Sequence, residues 1–120
     1  MIVKQPATLP FFTAGDLTRL TEVLHPKNDL IDLPYSLAYA TLPVGAASLP
    51  HTLSGSETYI FTAGTGVIIT GDHRQEVKAG VVIMIPAEAR QHVKNTGEEE
   101  LCFYCIVAPA WSEAGEQIEK

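Results

Sequence analysis

Two side chains in the stretch "GAASLPHTLSGSETYIFTAGTG" have the chemistry to act together, His51 and Glu57. An imidazole and a carboxylate turned onto one interior surface suit a divalent ion such as manganese, iron, nickel or zinc better than a soft metal. A second stretch, "GVVIMIPAEARQHVKN", offers Gln91 and His92 as alternatives for a third donor. The Gln91 amide oxygen is a weak ligand. His92 would complete the three-residue face that holds non-haem iron. A metal held this way supplies Lewis-acid or oxygen-activating chemistry for a small oxygenated substrate. Leu53, Tyr59 and Phe61 share parity with His51 and Glu57, so they are the expected apolar walls of an adjoining pocket.

Such donors need rigid elements behind them. A strand sends alternate side chains to opposite faces, and closing a sheet turns one of those faces inward. From Tyr35 onward the sequence has that texture. "YSLAYATL", "SETYIF", "GVIIT", "RQEV", "GVVIMI", "QHVKN" and "LCFYCIVA" are short strand-type runs separated by turn chemistry. Gly71-Asp72 fits a tight hairpin with positive φ at the glycine. The pattern predicts an all-β domain, a sandwich or a barrel.

The spacing of the candidate ligands is more specific than the texture. Gly45-x5-His51-x-Leu53-x3-Glu57-x6-Gly64 resembles the first motif of the cupin family, Gly-x5-His-x-His-x3/4-Glu-x6-Gly. The stretch from Gly80 through Pro86 to Asn95 resembles the second motif, Gly-x5-Pro-x-Gly-x2-His-x3-Asn. The resemblance implies a jelly-roll (cupin) β-barrel, commonly a dimer, in which the first-motif His and Glu and the second-motif His bind a divalent metal. Three positions depart from the pattern. Leu53 stands where a second imidazole belongs, Glu88 where a glycine belongs, and Gln91 at the second-motif His position, with His92 beside it. His92 then points out of the barrel unless a β-bulge re-aims it.

Two function classes follow. The first is a small cupin with a divalent metal in the barrel, held weakly, beside a pocket for a small organic ligand, as in a metal-dependent oxygenase or isomerase. The second is a metal-free binding or sensing module, in which His51, Glu57 and Gln91 form a polar network. Leu53 favours the second, because it makes one wall of the cavity apolar. Glu57 favours the first, because a lone interior carboxylate without a cation is costly. No nucleophile triad is visible around Ser48, Ser54 and Ser56.

The rest of the chain sets bounds. Residues 1–34 read as an N-terminal arm with a first strand or short helix, 35–108 as the barrel, and 109–120 as a polar tail anchored by Trp111 on the outside of the sheet. Leu17, Leu20, Val23 and Leu24 fit one helix face, while Leu20, Glu22 and Leu24 fit one side of a strand; "KNDLIDLP" reads as a loop. His25 and His73 are expected as exposed turn residues. Cys102 and Cys105 lie three apart in an apolar run, so a strand turns their sulfurs to opposite sides, as structural thiols rather than a redox pair. Eight Lys and Arg against fourteen Asp and Glu give a net charge of −6, which disfavours nucleic acid and anionic membranes as partners. With no signal-peptide pattern and no apolar run of membrane-spanning length, a cytoplasmic location is expected. The closing run "LCFYCIVA" is apolar on both faces, one for the core and one for a second subunit, so a homodimer is expected.

Overall fold

A computed structural model describes residues 1–119. In chain order its strands are β1 (Phe12–Thr13), β2 (Arg19–Leu24), β3 (Ser36–Leu42), β4 (His51–Leu53), β5 (Ser56–Ala63), β6 (Thr65–Thr70), β7 (His73–Lys78), β8 (Val82–Ile85), β9 (Gln91–Asn95), β10 (Leu101–Ala108) and β11 (Glu116–Ile118). They form two antiparallel sheets, in the orders β1-β2-β3-β10-β5-β8 and β11-β4-β9-β6-β7. The arrangement is a jelly-roll barrel, and all seven expected strand runs appear in it. No helix among the described residues is long and apolar enough to cross a membrane.

Alternation puts the core between the sheets. β5 buries Glu57, Tyr59 and Phe61, β9 buries Gln91, Val93 and Asn95, and β10 buries Phe103, Cys105 and Val107. Tyr59, Phe61 and Phe103 pack as one aromatic cluster with ring centroids 5.3–5.9 Å apart. This apolar packing is the main stabilising term for the barrel. Asn95 closes one end of it. Its side-chain amide donates to the Leu42 and Glu99 carbonyls and its oxygen accepts from Gly97 N–H, each at 2.9 Å.

The stretch leading to Leu24 resolves as strand, not helix. Leu17 adopts φ +77°, which a helix does not allow, and β2 pairs with β3 from Arg19 onward. The segment after it contains one helical turn, α1 (Pro26–Asp29), where a loop is expected. His25 caps that turn and is buried, contrary to its expected exposure. Its Nδ1 accepts from Lys27 N–H at 3.1 Å, so its Nε2 carries the proton and donates to the Trp111 carbonyl at 2.8 Å. His73 is exposed at the start of β7. The tail after Pro109 is also structured, because β11 pairs with β4 along the edge of the second sheet.

Both cysteines are free and buried on β10. Burial pushes both thiols up in pKa, Cys105 the further, with Glu57 and Asp16 adding to it. Neither is a thiolate nucleophile.

Glu88 explains one departure from the motif. It adopts φ +69° while its N–H donates to the Leu53 carbonyl at 2.8 Å. The turn keeps the left-handed backbone for which the motif supplies glycine, at a cost of roughly 1 kcal/mol for a residue with a Cβ. Glu88→Gly is expected to raise unfolding stability by about 1 kcal/mol in urea titration, with the m-value unchanged.

Candidate metal and ligand site

The site is built around His51, the first residue of β4 and only 2% exposed. Its Nδ1 donates to the Leu49 carbonyl at 2.9 Å, and that bond turns Nε2 towards Glu57 Oε1, 3.6 Å away on β5. Asp16 reaches the other side of the ring, with Oδ2 3.8 Å from Nδ1. A short turn fixes Asp16, since its Oδ1 accepts from Thr18 N–H at 3.1 Å and Thr18 O–H at 2.7 Å. The Asp16 carbonyl also accepts from Leu49 N–H at 2.7 Å, which ties this loop to the strand that carries the imidazole. Glu116 arrives from β11. One donor atom each from Asp16, His51 and Glu116 lie within 4.8 Å of one another.

These groups line a cavity of about 120 Å³. Its apolar wall comes from Phe12, Leu20, Leu37, Leu53, Val107 and Trp111. A smaller cavity of about 30 Å³ shares Asp16, Leu20, Glu57 and Cys105 and runs inward to Tyr59. Of the expected walls, Leu53 lines the larger cavity and Tyr59 the smaller, while Phe61 lines neither and packs in the aromatic core. Trp111, expected outside the sheet, lines the cavity instead.

The second-motif residues divide cleanly. β9 pairs with β6 in unbroken register from Asn95 to Gln91, so no bulge re-aims it. Gln91 faces inward, 1% exposed and paired with His51 across the β4–β9 ladder. His92 lies on the opposite face, half-buried, with its Nδ1 lacking a hydrogen bond. Burial, with Arg90 and His51 nearby, holds the His92 pKa below the usual imidazole range. The His51, Glu57 and His92 face is therefore not assembled.

Gln91 has another task. The Tyr59 hydroxyl lies 2.5 Å from its Oε1 and 3.1 Å from Glu57 Oε1. One phenol proton serves one acceptor. Turning the amide over lets Gln91 donate to Tyr59 and frees the phenol proton for Glu57, which satisfies all three groups. Burial, reinforced by Glu57, keeps the Tyr59 pKa well above its ordinary value, so the phenol stays a donor.

Asp16 and Glu116 carry no motif. Asp16 reads as a turn residue in "AGDLT", and Glu116 as one charge in a polar tail. The set of Asp16, Glu57 and Glu116 around one imidazole is oxygen-rich, and it fits a hard or borderline divalent cation.

The family model for the cupin domain matches residues 38–107. The chain belongs to the cupin family. No curated protein matches the sequence. Among solved structures this cupin is similar to a cupin 2 conserved barrel domain protein from Salinispora arenicola, with TM-score 0.76, 19% identity, and 95% and 91% of the two chains covered. It is also similar to a predicted oxalate decarboxylase from Thermotoga maritima, with TM-score 0.80, 18% identity and coverage of 90% and 99%. A third is a nucleoside dehydratase, whose related structures are described as Streptomyces proteins with uridine; the TM-score is 0.79, with 18% identity and coverage of 100% and 92%. At these identities the likeness is one of fold.

Burial pulls the His51 pKa down, but Glu57, the Leu49 carbonyl and Asp16 outweigh it and raise the value to about 9. A histidine whose pKa rises on folding stabilises the native state fully below its unfolded pKa of about 6.5 and loses that contribution as pH climbs through the folded value. In chelator-treated protein, thermal melting is expected to fall between pH 6.5 and about 9, and His51→Gln should flatten that slope.

Proposed function

We infer that this cupin binds a divalent cation at His51 and Glu57 and a small organic molecule in the cavity beside them. The observation behind this is one buried imidazole with acids on both nitrogens, Asp16 and Glu116 clustered with it and Glu57 3.6 Å from its Nε2. Like charges in a half-buried site repel, and a cation is the economical way to hold them together. His51 Nε2 and Glu57 are the first ligands, and Asp16 and Glu116, which gather with His51 in a set that leaves out Glu57, add acidic charge beside them. Gln91 supports it through Tyr59, which fixes the Glu57 carboxylate. A bound divalent ion supplies Lewis-acid polarisation of a substrate oxygen. The chain's own part is to orient the substrate against Leu53, Leu37 and Trp111 and to keep bulk water from the cluster. A metal-dependent oxygenase or isomerase is the reaction class in keeping with this arrangement.

A metal-free binding or sensing module is the second reading, and two observations favour it. Leu53 takes the place of an imidazole, and protonated His51 can serve as the counter-ion of its own acidic neighbours.

The protein is further taken as a homodimer. On the outer face of β10, Tyr104 packs on Tyr39 with centroids 4.8 Å apart, and Tyr104 and Ile106 stay half-buried. Such a face is suited to cover by a second copy.

Elemental analysis of purified protein separates the two readings. Near-stoichiometric divalent metal, lost in both His51→Ala and Glu57→Ala but retained in His92→Ala, is the expected result; metal-free protein that still folds leaves the second reading. Sedimentation at micromolar concentration is expected to give twice the single-chain mass, and a monomer alone would refute the dimer.

A further inference from the structure

We propose that the cavity selects small organic cations, amines with a compact apolar body, over neutral and acidic molecules of the same shape. This deepens the small-ligand part of the preceding reading and rests on it. The selectivity does not depend on which ion occupies the cluster.

The lining has a lopsided charge. Asp16, Glu22, Glu57 and Glu116 contribute four carboxylates, His51 contributes the one imidazole, and neither Lys nor Arg lines the cavity among the described residues. The acids come from four separate elements, the loop before β2 together with β2, β5 and β11, and three of them, Asp16, Glu57 and Glu116, gather about His51. Glu57 and His51 are more than nine-tenths buried and both line the cavity, with His51 Nε2 3.6 Å from Glu57 Oε1.

The sign of the lining survives a change of occupant. With His51 protonated, three carboxylates remain uncompensated. A divalent ion bound to neutral His51 cancels only two of the four. In a cavity with mostly apolar walls those charges are poorly screened, so an entering carboxylate or phosphate meets repulsion and an ammonium meets attraction. The net charge of −6 on the whole chain acts in the same direction at long range.

The walls specify the remainder of the ligand. Trp111 and Phe12 bring aromatic surface to the cavity lined by those acids, and aromatic faces attract ammonium groups. Leu20, Leu37, Leu53 and Val107 leave the rest of the space to a short hydrocarbon. A volume near 120 Å³ limits that hydrocarbon to a handful of carbons.

Three probes of one shape test this, 3-methylbutylamine, 3-methylbutanol and 3-methylbutanoate, titrated by calorimetry at neutral pH into the full chain. The deciding measurement uses chelator-stripped protein, with a manganese-loaded sample in parallel and metal content measured separately. The amine is expected to bind at least about tenfold more tightly than the alcohol, and the acid not at all. The double variant Asp16→Asn, Glu116→Gln should remove most of the amine's advantage over the alcohol. The proposal is overturned if the acid or alcohol binds as well as the amine, if the amine gives no signal in the millimolar range, or if its advantage survives the double variant. Absence of metal from the manganese-loaded sample would sink the cation-site reading alone, because amine selectivity is judged on stripped protein.

Discussion

The bond from His51 Nδ1 to the Leu49 carbonyl fixes the chemistry of this barrel. An imidazole free to turn would meet whichever acid lay nearest. Held by one nitrogen two residues back along its own chain, it presents the other to Glu57. Leu49 is held in turn, because its N–H donates to the Asp16 carbonyl at 2.7 Å. The loop that brings Asp16 to the ring and the backbone that orients the ring are thus one connected unit. Bonds of this kind set both tautomer and direction, and they decide which nitrogen is available to a ligand.

Around that unit the barrel tolerates an arrangement that would be unfavourable in a plain core. Burial pushes the Glu116 carboxyl up in pKa, His51 pulls it back, and Asp16 and Glu57 push it up again. Tyr59, itself paired with Gln91, satisfies Glu57 from the inner side. Tyr59 joins this polar layer to the core, since its ring packs with Phe61 and Phe103 while its hydroxyl reaches Glu57. The wall at Leu53 lies on the same strand as His51 and shares its face.

Much of this could be read from the residues in order. Strand alternation is a local signal, and so were β3, β5 through β10 and the inward parity of His51, Leu53, Glu57 and Tyr59. Motif spacing put Gln91 rather than His92 at the inward position, and the unbroken β9 register has the same consequence. Phe61 misled because parity tells which face a residue joins, not whether that part of the face is packed or open. His25 misled because its burial depends on Trp111, far along the chain, which no local pattern announces. Asp16 and Glu116 were illegible for the same reason. Each looks like an ordinary solvated charge until the edge strands beside it are paired.

Those edge strands have a consequence for how such a protein changes over time. β1 and β11 are two and three residues long and each pairs with a single neighbour, yet Phe12 and Glu116, which line the larger cavity, belong to them. Part of the cavity wall is therefore carried by segments whose replacement least disturbs the shared scaffold. Divergence at the two ends can retune what is admitted while the central strands keep the architecture, so relatives with one barrel can come to serve unrelated chemistries.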